Sequence, residues 1–155
     1  MQVALISIGK TVEKYLVNGI AEYEKRLKKY GSFTQVYLPT IKGKMSPNEV
    51  LVKEEQNFRK VLKPTDTVIL LDNHGKAFHS IGFAKYLEKK MANSRGRICF
   101  LIGGAHGFSE AFHKEFKDKV SLSEMTFSHQ IIRLIFAEQL YRAFTIINNE
   151  PYHNE

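Results

Sequence analysis

Cysteine and long apolar runs are both scarce in this sequence. The single cysteine, Cys99, excludes a disulfide within the chain. It lies in the apolar run 98–102, which favours a buried structural thiol over a nucleophile. No apolar stretch approaches the length of a membrane-spanning helix, and no basic leader precedes the first apolar segment, 3–8. We therefore expect a cytoplasmic protein with no membrane partner.

Recognised metal and nucleophile patterns are also missing. The six histidines are scattered, none of them at a metal-ligand spacing, and there is no cysteine pair to complete such a site. Neither a pair of catalytic carboxylates nor a Ser/His/Asp set can be argued from spacing. We expect no metal, and spacing alone identifies no catalytic set.

Positive charge is what the sequence has in excess. Its 155 residues carry 23 lysines and arginines against 16 acidic residues, a formal charge of +7. This balance suits a polyanionic partner, of which nucleic acid is the commonest. The length fits one compact domain, 1–155, which needs neither disulfides nor metal to fold.

Apolar runs alternate with amphipathic segments from end to end, which predicts an α/β sandwich with a largely parallel sheet. Strands are expected at 3–8, 33–38, 67–71, 97–102 and 120–122. Helices are expected at 12–30, 46–62, 80–91, from 109 onward, and 128–148, with a turn at 72–76. The last helix is apolar on more than one side, which predicts that one face packs on the sheet and another meets a partner subunit.

Three predicted strand ends mark places where ligands bind in open α/β sheets: Leu71 and Asp72 end one strand, and the segments 103–107 and 122–127 follow two others. The loop 103–107 is rich in glycine, but it matches neither the dinucleotide fingerprint nor a phosphate-binding P-loop. A tight strand-to-helix turn explains it equally well. The segment 121–130 mixes small polar and apolar residues, which could hold a flat heterocycle such as adenine. The alternative is a plain connection with a helix N-cap at Ser128.

The C-terminal tail is unusual because it contains an aromatic residue and a histidine. Tyr152 and His153 lie in a stretch where plain polar residues are common. These two side chains could stack on and hydrogen-bond to an unpaired base.

Several motifs, taken in order, resemble the RlmH-type methyltransferases of the SPOUT superfamily over essentially the whole chain. They are the opening VALISIGK, the helix AEYEKRL, LDxxGK at 71–76, LIGGxxG at 101–107, LSxMTFxHQ at 122–130, RxxxxEQxYRA at 133–143 and PYH at 151–153.

The resemblance implies a deep trefoil knot in the C-terminal part, a feature that connection rules make rare. It implies a homodimer that binds S-adenosyl-L-methionine in the knot and methylates N3 of a pseudouridine in 23S rRNA, on the assembled ribosome. Matched by motif, the methyl-donor pocket comprises Leu71, Gly103, Leu122, Ser123, Glu124, Met125, Thr126 and Phe127.

The same resemblance places Arg133, Tyr152 and His153 at the RNA. His129 and His153 are expected to handle the N3 proton, and Arg133 to stabilise negative charge on the base. Two positions depart from the family pattern: Ser128 stands where proline is common, and Asn154 where a basic residue is common, which leaves the tail's phosphate contact in doubt. Methylation of another RNA and a non-catalytic ribosome-binding role are the alternatives.

Overall fold

The computed structural model describes residues 1–154 and shows a five-stranded parallel sheet with helices on both faces. The strands are β1 (Gln2–Ile8), β2 (Ser32–Leu38), β3 (Thr67–Ala77), β4 (Ile98–Ile102) and β5 (Lys119–Ser121). The helices are α1 (Lys14–Leu27), α2 (Pro47–Val61), α3 (Ser80–Asn93), α4 (Glu110–Glu115) and α5 (Ile131–Ile147). The sheet order is β2-β1-β4-β3-β5, and every pair is parallel. The predicted fold class is confirmed.

Strand alternation divides the core into two layers. Val3 and Leu5 of β1 pack with α3 and α5, whereas Ala4 and Ile6 face α2 and α4. All five residues of β4 are buried, because this central strand is covered on both faces. Cys99 is fully buried there, and burial raises the pKa of its thiol to about 12, as expected for a structural cysteine.

Strand β3 is longer than predicted. Residues 72–76, which we predicted to form a turn, continue the strand, and the register against β5 shifts between Leu71 and Lys76. Gly75 lies so close to β5 that an added Cβ would stand 2.7 Å from the backbone of Lys119. Only glycine allows this approach, so the glycine we interpreted as part of a turn instead serves strand pairing.

Three helix starts also differ from the prediction. Helix α5 begins at Ile131 rather than Ser128, with Gln130 at its N-cap position. Helix α1 begins at Lys14 rather than Val12 and ends at Leu27 rather than Tyr30. Helix α3 is capped by the backbone of His79, because the Ser80 hydroxyl donates to Gln139 Oε1 instead. Ser46 and Ser109 are N-caps as predicted, accepting from Glu49 N and Phe112 N.

Helix α5 packs against both α1 and α3 and ends close to the tail. Strand β4 lies between β1 and β3, and the start of α5 returns to the end of β1. This arrangement is compatible with a knot, which stays a prediction. Within residues 1–154, no helix is both long and apolar enough to cross a membrane.

Candidate functional site

A cavity of about 390 Å³ opens at the carboxyl ends of β3, β4 and β5. We call it the main cavity; it is bounded by residues 71–74, 102–105, 107–108, 120, 122–123, 125–127, 129 and 132. Its position agrees with the rule that ligands bind beyond the carboxyl ends of parallel strands. Its lining includes these residues from the sequence prediction: Leu71, Gly103, Leu122, Ser123, Met125, Thr126, Phe127 and His129. Glu124 was predicted with them but does not line the cavity.

The glycine loop that follows β4 forms one wall. Gly107 N donates to Gly104 O at 3.0 Å, and Gly107 has a φ of +67°. A Cβ on Gly103 would stand 2.7 Å from Gly107 O, so a larger residue there would force the loop open. The loop therefore brings bare backbone to the cavity surface, where peptide groups can approach a ligand closely.

The opposite wall is the segment that follows β5. Ser121 Oγ donates to Ser123 O at 2.9 Å, and Met125 N donates to Ser123 Oγ at 2.9 Å. These bonds hold the segment in a compact turn beside the cavity. Met125 nevertheless remains 75% exposed, and Phe127 is also exposed. Exposed apolar side chains at a cavity rim are available for contact with a flat ligand or a partner chain.

Asp72 is a residue at this site that our set of predicted site residues omitted. It lines the main cavity, its side chain is mostly buried, and His74 Nδ1 lies 3.1 Å from Oδ1. His113 Nε2 lies 3.8 Å from Oδ2, behind the carboxylate. The sequence signal was present, because Leu71 and Asp72 end a predicted strand at a place where ligands bind, but we assigned a site role only to Leu71.

His129 stands between the main cavity and a second one. The neighbouring cavity, of about 400 Å³, is bounded by residues 8–10, 12, 40–41, 50, 54, 104–106 and 129–130. Both cavities share His129, Gly104 and Ala105. A side chain on this shared wall can reach groups bound on either side.

Arg133 lies in the interior and not on a cavity surface. It is 0% exposed, and its guanidinium donates to the backbone carbonyls of His129 (2.8 Å), Gly9 (2.9 Å) and Ile8 (2.9 Å). It also donates to Thr11 Oγ1 at 3.0 Å. Burial lowers the pKa of the Arg133 guanidinium from its usual high value. In this structure Arg133 joins the start of α5 to the end of β1.

The tail packs along α5, apart from both cavities. Tyr152 donates its hydroxyl to Glu138 Oε1 at 3.1 Å, and its ring lies edge-on to Tyr141. His153 Nδ1 lies 3.3 Å from a guanidinium nitrogen of Arg142. Within one chain, therefore, the structure does not bring Tyr152 and His153 to His129. Their predicted contact with RNA stays a prediction.

The chemistry available here is that of amides, apolar walls, a carboxylate and a histidine. Residues 1–154 contain no group of three or more histidine, cysteine or acidic side chains that could hold a metal ion. The arrangement suits the binding of an organic ligand beside a second cavity of similar volume, with the His129 side chain between them.

Comparison with known proteins gives consistent results. A family model described as "Predicted SPOUT methyltransferase" matches residues 1–153. "Ribosomal RNA large subunit methyltransferase H" of Parabacteroides distasonis is 50% identical over 157 residues, covering 100% of both chains. The protein of the same name from Flavobacterium johnsoniae is 48% identical over the same full length.

A solved structure resembles this one in fold. The "tRNA (m1G37) methyltransferase from Aquifex aeolicus" superimposes with a TM-score of 0.51 and 16% sequence identity. The match covers 100% of this chain and 76% of that one. At this level of identity, the likeness extends to the fold alone.

Proposed function

This chain belongs to the SPOUT methyltransferase family, and on that premise we propose that it methylates N3 of a pseudouridine in 23S rRNA, with S-adenosyl-L-methionine as the donor. Its full-length relatives named as large-subunit rRNA methyltransferases support the substrate class. The observation that carries the proposal is the main cavity, which gathers most of the residues that the family resemblance assigned to the donor.

The residues of the main cavity fit such a donor. The bare backbone around Gly103 can hydrogen-bond to adenine and ribose, and Leu122 and Phe127 supply apolar walls for a flat ring. Asp72 places a carboxylate on the same wall, where it can accept bonds from hydroxyl groups or attract positive charge. When bound, the donor supplies a methyl group already activated on a sulfonium, so the chain needs neither a metal nor a covalent intermediate.

We assign the N3 proton to His129. It lies on the wall between the two cavities, where its ring can face both the donor and a base. The methyl carbon would leave the donor's sulfur for N3, the donor would depart as a neutral thioether, and the N3 proton would pass to a ring nitrogen of His129. Proton removal of this kind contributes about 10²–10⁴-fold in rate, and alignment of the two reactants contributes more.

Arg133 is proposed to act through His129. Its bonds to the carbonyls of His129, Ile8 and Gly9 fix the start of α5 against β1. Because the guanidinium is fully buried, we now favour a positioning role over the direct stabilisation of charge on the base that the sequence suggested.

The RNA contact is proposed to involve a homodimer working on the assembled ribosome in the cytoplasm. The +7 charge supports a polyanionic substrate. Val12 is 75% exposed and Tyr15 is 64% exposed, which gives α1 and the residues before it an apolar surface that a second copy could cover. A second copy could also bring Tyr152 and His153 to a site that they do not reach within one chain.

The test is methyl transfer from labelled S-adenosyl-L-methionine to ribosomes that lack this modification, with the methylated nucleoside identified by mass spectrometry. We expect one added methyl on a pseudouridine of 23S rRNA. His129→Ala should lose about 10²-fold or more in rate while donor affinity, measured by calorimetry, is unchanged. Donor binding without transfer to ribosomes would redirect the proposal to another RNA, and absence of both would overturn it.

A further inference from the structure

Two adjacent glutamates of α2 are both buried, but only one of them is satisfied. Glu55 accepts from Ser109 N at 2.7 Å and from Ser109 Oγ at 2.5 Å, so its carboxylate caps the start of α4. Glu54 is only 6% exposed, and its Oε1 has no hydrogen-bond partner within residues 1–154. A buried polar atom without a partner destabilises the folded chain, because its hydration is lost and not replaced. A ligand that donates a hydrogen bond to this oxygen would remove that cost.

Glu54 faces the place where a ligand could lie. It lines the neighbouring cavity, and its Oε2 lies against Gly104, where an added Cβ would overlap with it. The absence of a side chain at Gly104 is therefore what leaves room for this carboxyl group. His106 lines the same cavity and offers a positive charge when protonated.

The neighbouring cavity, which Glu54 lines, lies directly beside the main cavity. The two share His129, Gly104 and Ala105. Its volume of about 400 Å³ is within the usual range for small-molecule pockets. Lys10 lines its rim and could contact a phosphate. A base in this cavity would have the donor on one side and Glu54 on another.

We propose that the neighbouring cavity receives the nucleobase to be methylated, and that the Glu54 carboxyl group accepts a hydrogen bond from the base's N1–H. The inference rests on the proposed function and assigns to Glu54 the choice of pseudouridine over uridine.

The chemistry of the two bases explains the choice. With N3 turned toward the donor, pseudouridine presents a second ring N–H, at N1, on another edge. Uridine presents C5–H at the corresponding place, because its N1 carries the ribose. An unpaired buried acceptor gains a partner from pseudouridine and none from uridine, and sites built on such a bond discriminate strongly.

The charge state of Glu54 does not decide the argument. Burial raises the pKa of the Glu54 carboxyl group, with His106 acting in the opposite direction. One oxygen of a carboxyl group is an acceptor in either protonation state.

The experiment compares methyl transfer to two ribosomal substrates that differ only in having pseudouridine or uridine at the target position. We expect the wild-type protein to favour pseudouridine in kcat/KM. Glu54→Met removes both carboxyl oxygens at a similar side-chain volume, so we expect it to lower that preference about tenfold or more, the value of one strong hydrogen bond. Donor affinity should not change.

Glu55→Met is the matched control, since it changes a neighbouring buried carboxylate that already has partners. It should lower stability and leave the preference between the two bases unchanged. If Glu54→Met does not fold, Glu54→Asp keeps the acceptor but withdraws it by one methylene, and a reduced preference is again expected.

The outcomes separate the two proposals. A wild-type protein that methylates neither substrate overturns the proposed function, and this inference with it. A wild-type protein that methylates both equally, or a folded Glu54 variant that keeps the full preference, overturns the inference about Glu54 alone.

Discussion

The start of helix α5 and the tail that packs along it are held in different ways. At the start, Arg133 and Gln130 bind the end of β1 and the segment that follows it: Gln130 accepts from Val12 N at 2.9 Å and donates to Lys10 O at 3.1 Å. The tail is held against the middle of the helix by side chains that remain partly exposed, Tyr152 with Glu138 and His153 with Arg142.

The start of α5, next to His129, is therefore fixed, whereas the tail, which lies apart from both cavities, can adjust. Water cannot easily replace the hydrogen bonds that the buried Arg133 side chain donates to backbone carbonyls. These bonds therefore hold the backbone of His129 in place. Bonds between partly exposed side chains are exchanged for water at little cost. The start of α5 therefore suits the alignment of reactants, and the tail suits a contact that is remade when RNA or a second copy arrives.

The largest expected effect comes from Arg133→Met. Removal of the guanidinium leaves the carbonyls of Ile8, Gly9 and His129 without their partner, which should lower the free energy of unfolding by about 3 kcal/mol or more. Urea denaturation at one fixed protein concentration measures it. Arg142→Met is the control, and its expected loss is below about 1 kcal/mol. Equal losses of unfolding free energy in the two variants would mean that the start of α5 is held no more firmly than the region beside the tail.

Gln130→Ala should have the next largest effect. It removes the two bonds to Val12 and Lys10, at about 0.5–1.5 kcal/mol each. Because the start of α5 then moves more freely, methyl transfer should slow while donor affinity is kept. Gln56→Ala, at an exposed position of α2, serves as the surface control. An unchanged rate would mean that Gln130 does not help to position His129.

Ser128→Ala should cost about 1 kcal/mol, because the Ser128 hydroxyl makes a capping-type bond from the turn just before α5, whose N-cap residue is Gln130. The Ser128 hydroxyl accepts from Ile131 N at 3.2 Å, and its carbonyl accepts from Ile132 N. Ser128→Pro, the residue we expected from the family pattern, removes the same side-chain oxygen but restricts the backbone. A proline variant as stable as wild type would show that the two residues stabilise the start of α5 equally, serine by a hydrogen bond and proline by restricting the backbone.

Tyr152→Phe should have the smallest effect on stability, about 0.5 kcal/mol, because the hydroxyl bonds only to the partly exposed Glu138 and, at 3.5 Å, to the Tyr23 hydroxyl. The ring and its contact with Tyr141 remain. Thermal unfolding provides the measurement. A loss as large as that of Arg133→Met would show that the tail is part of the fixed structure.

Local patterns in the sequence predicted the fold class, and the family resemblance predicted most of the residues that line the main cavity. The buried run at β4 and the serine N-caps are visible as periodicity and spacing. The position of Gly75 against β5 is not, because it depends on which strand lies beside it. Sequence spacing also could not show that Arg133 is buried instead of facing the substrate. Two of its hydrogen-bond partners, Ile8 and Gly9, lie more than 100 residues away in the chain, at the end of β1.

The same limit applies to Glu54 and the tail. A glutamate on an amphipathic helix is normally expected to be solvated, and only the tertiary structure shows it buried against Gly104. Tyr152 carries an aromatic ring that suits a base, but in one chain the ring is engaged by α5. The chemistry of a side chain can be read from the sequence, whereas its neighbours cannot.

The wall shared by the two cavities has a thermodynamic consequence. Gly104, Ala105 and His129 border both cavities. A molecule in one cavity that orders these residues is therefore expected to change the affinity for a molecule in the other cavity. By linkage the effect is reciprocal: whatever factor the donor adds to the affinity for RNA, RNA adds to the affinity for the donor. The two substrates are then expected to bind cooperatively, and the methylated product to leave more readily once the spent donor has gone.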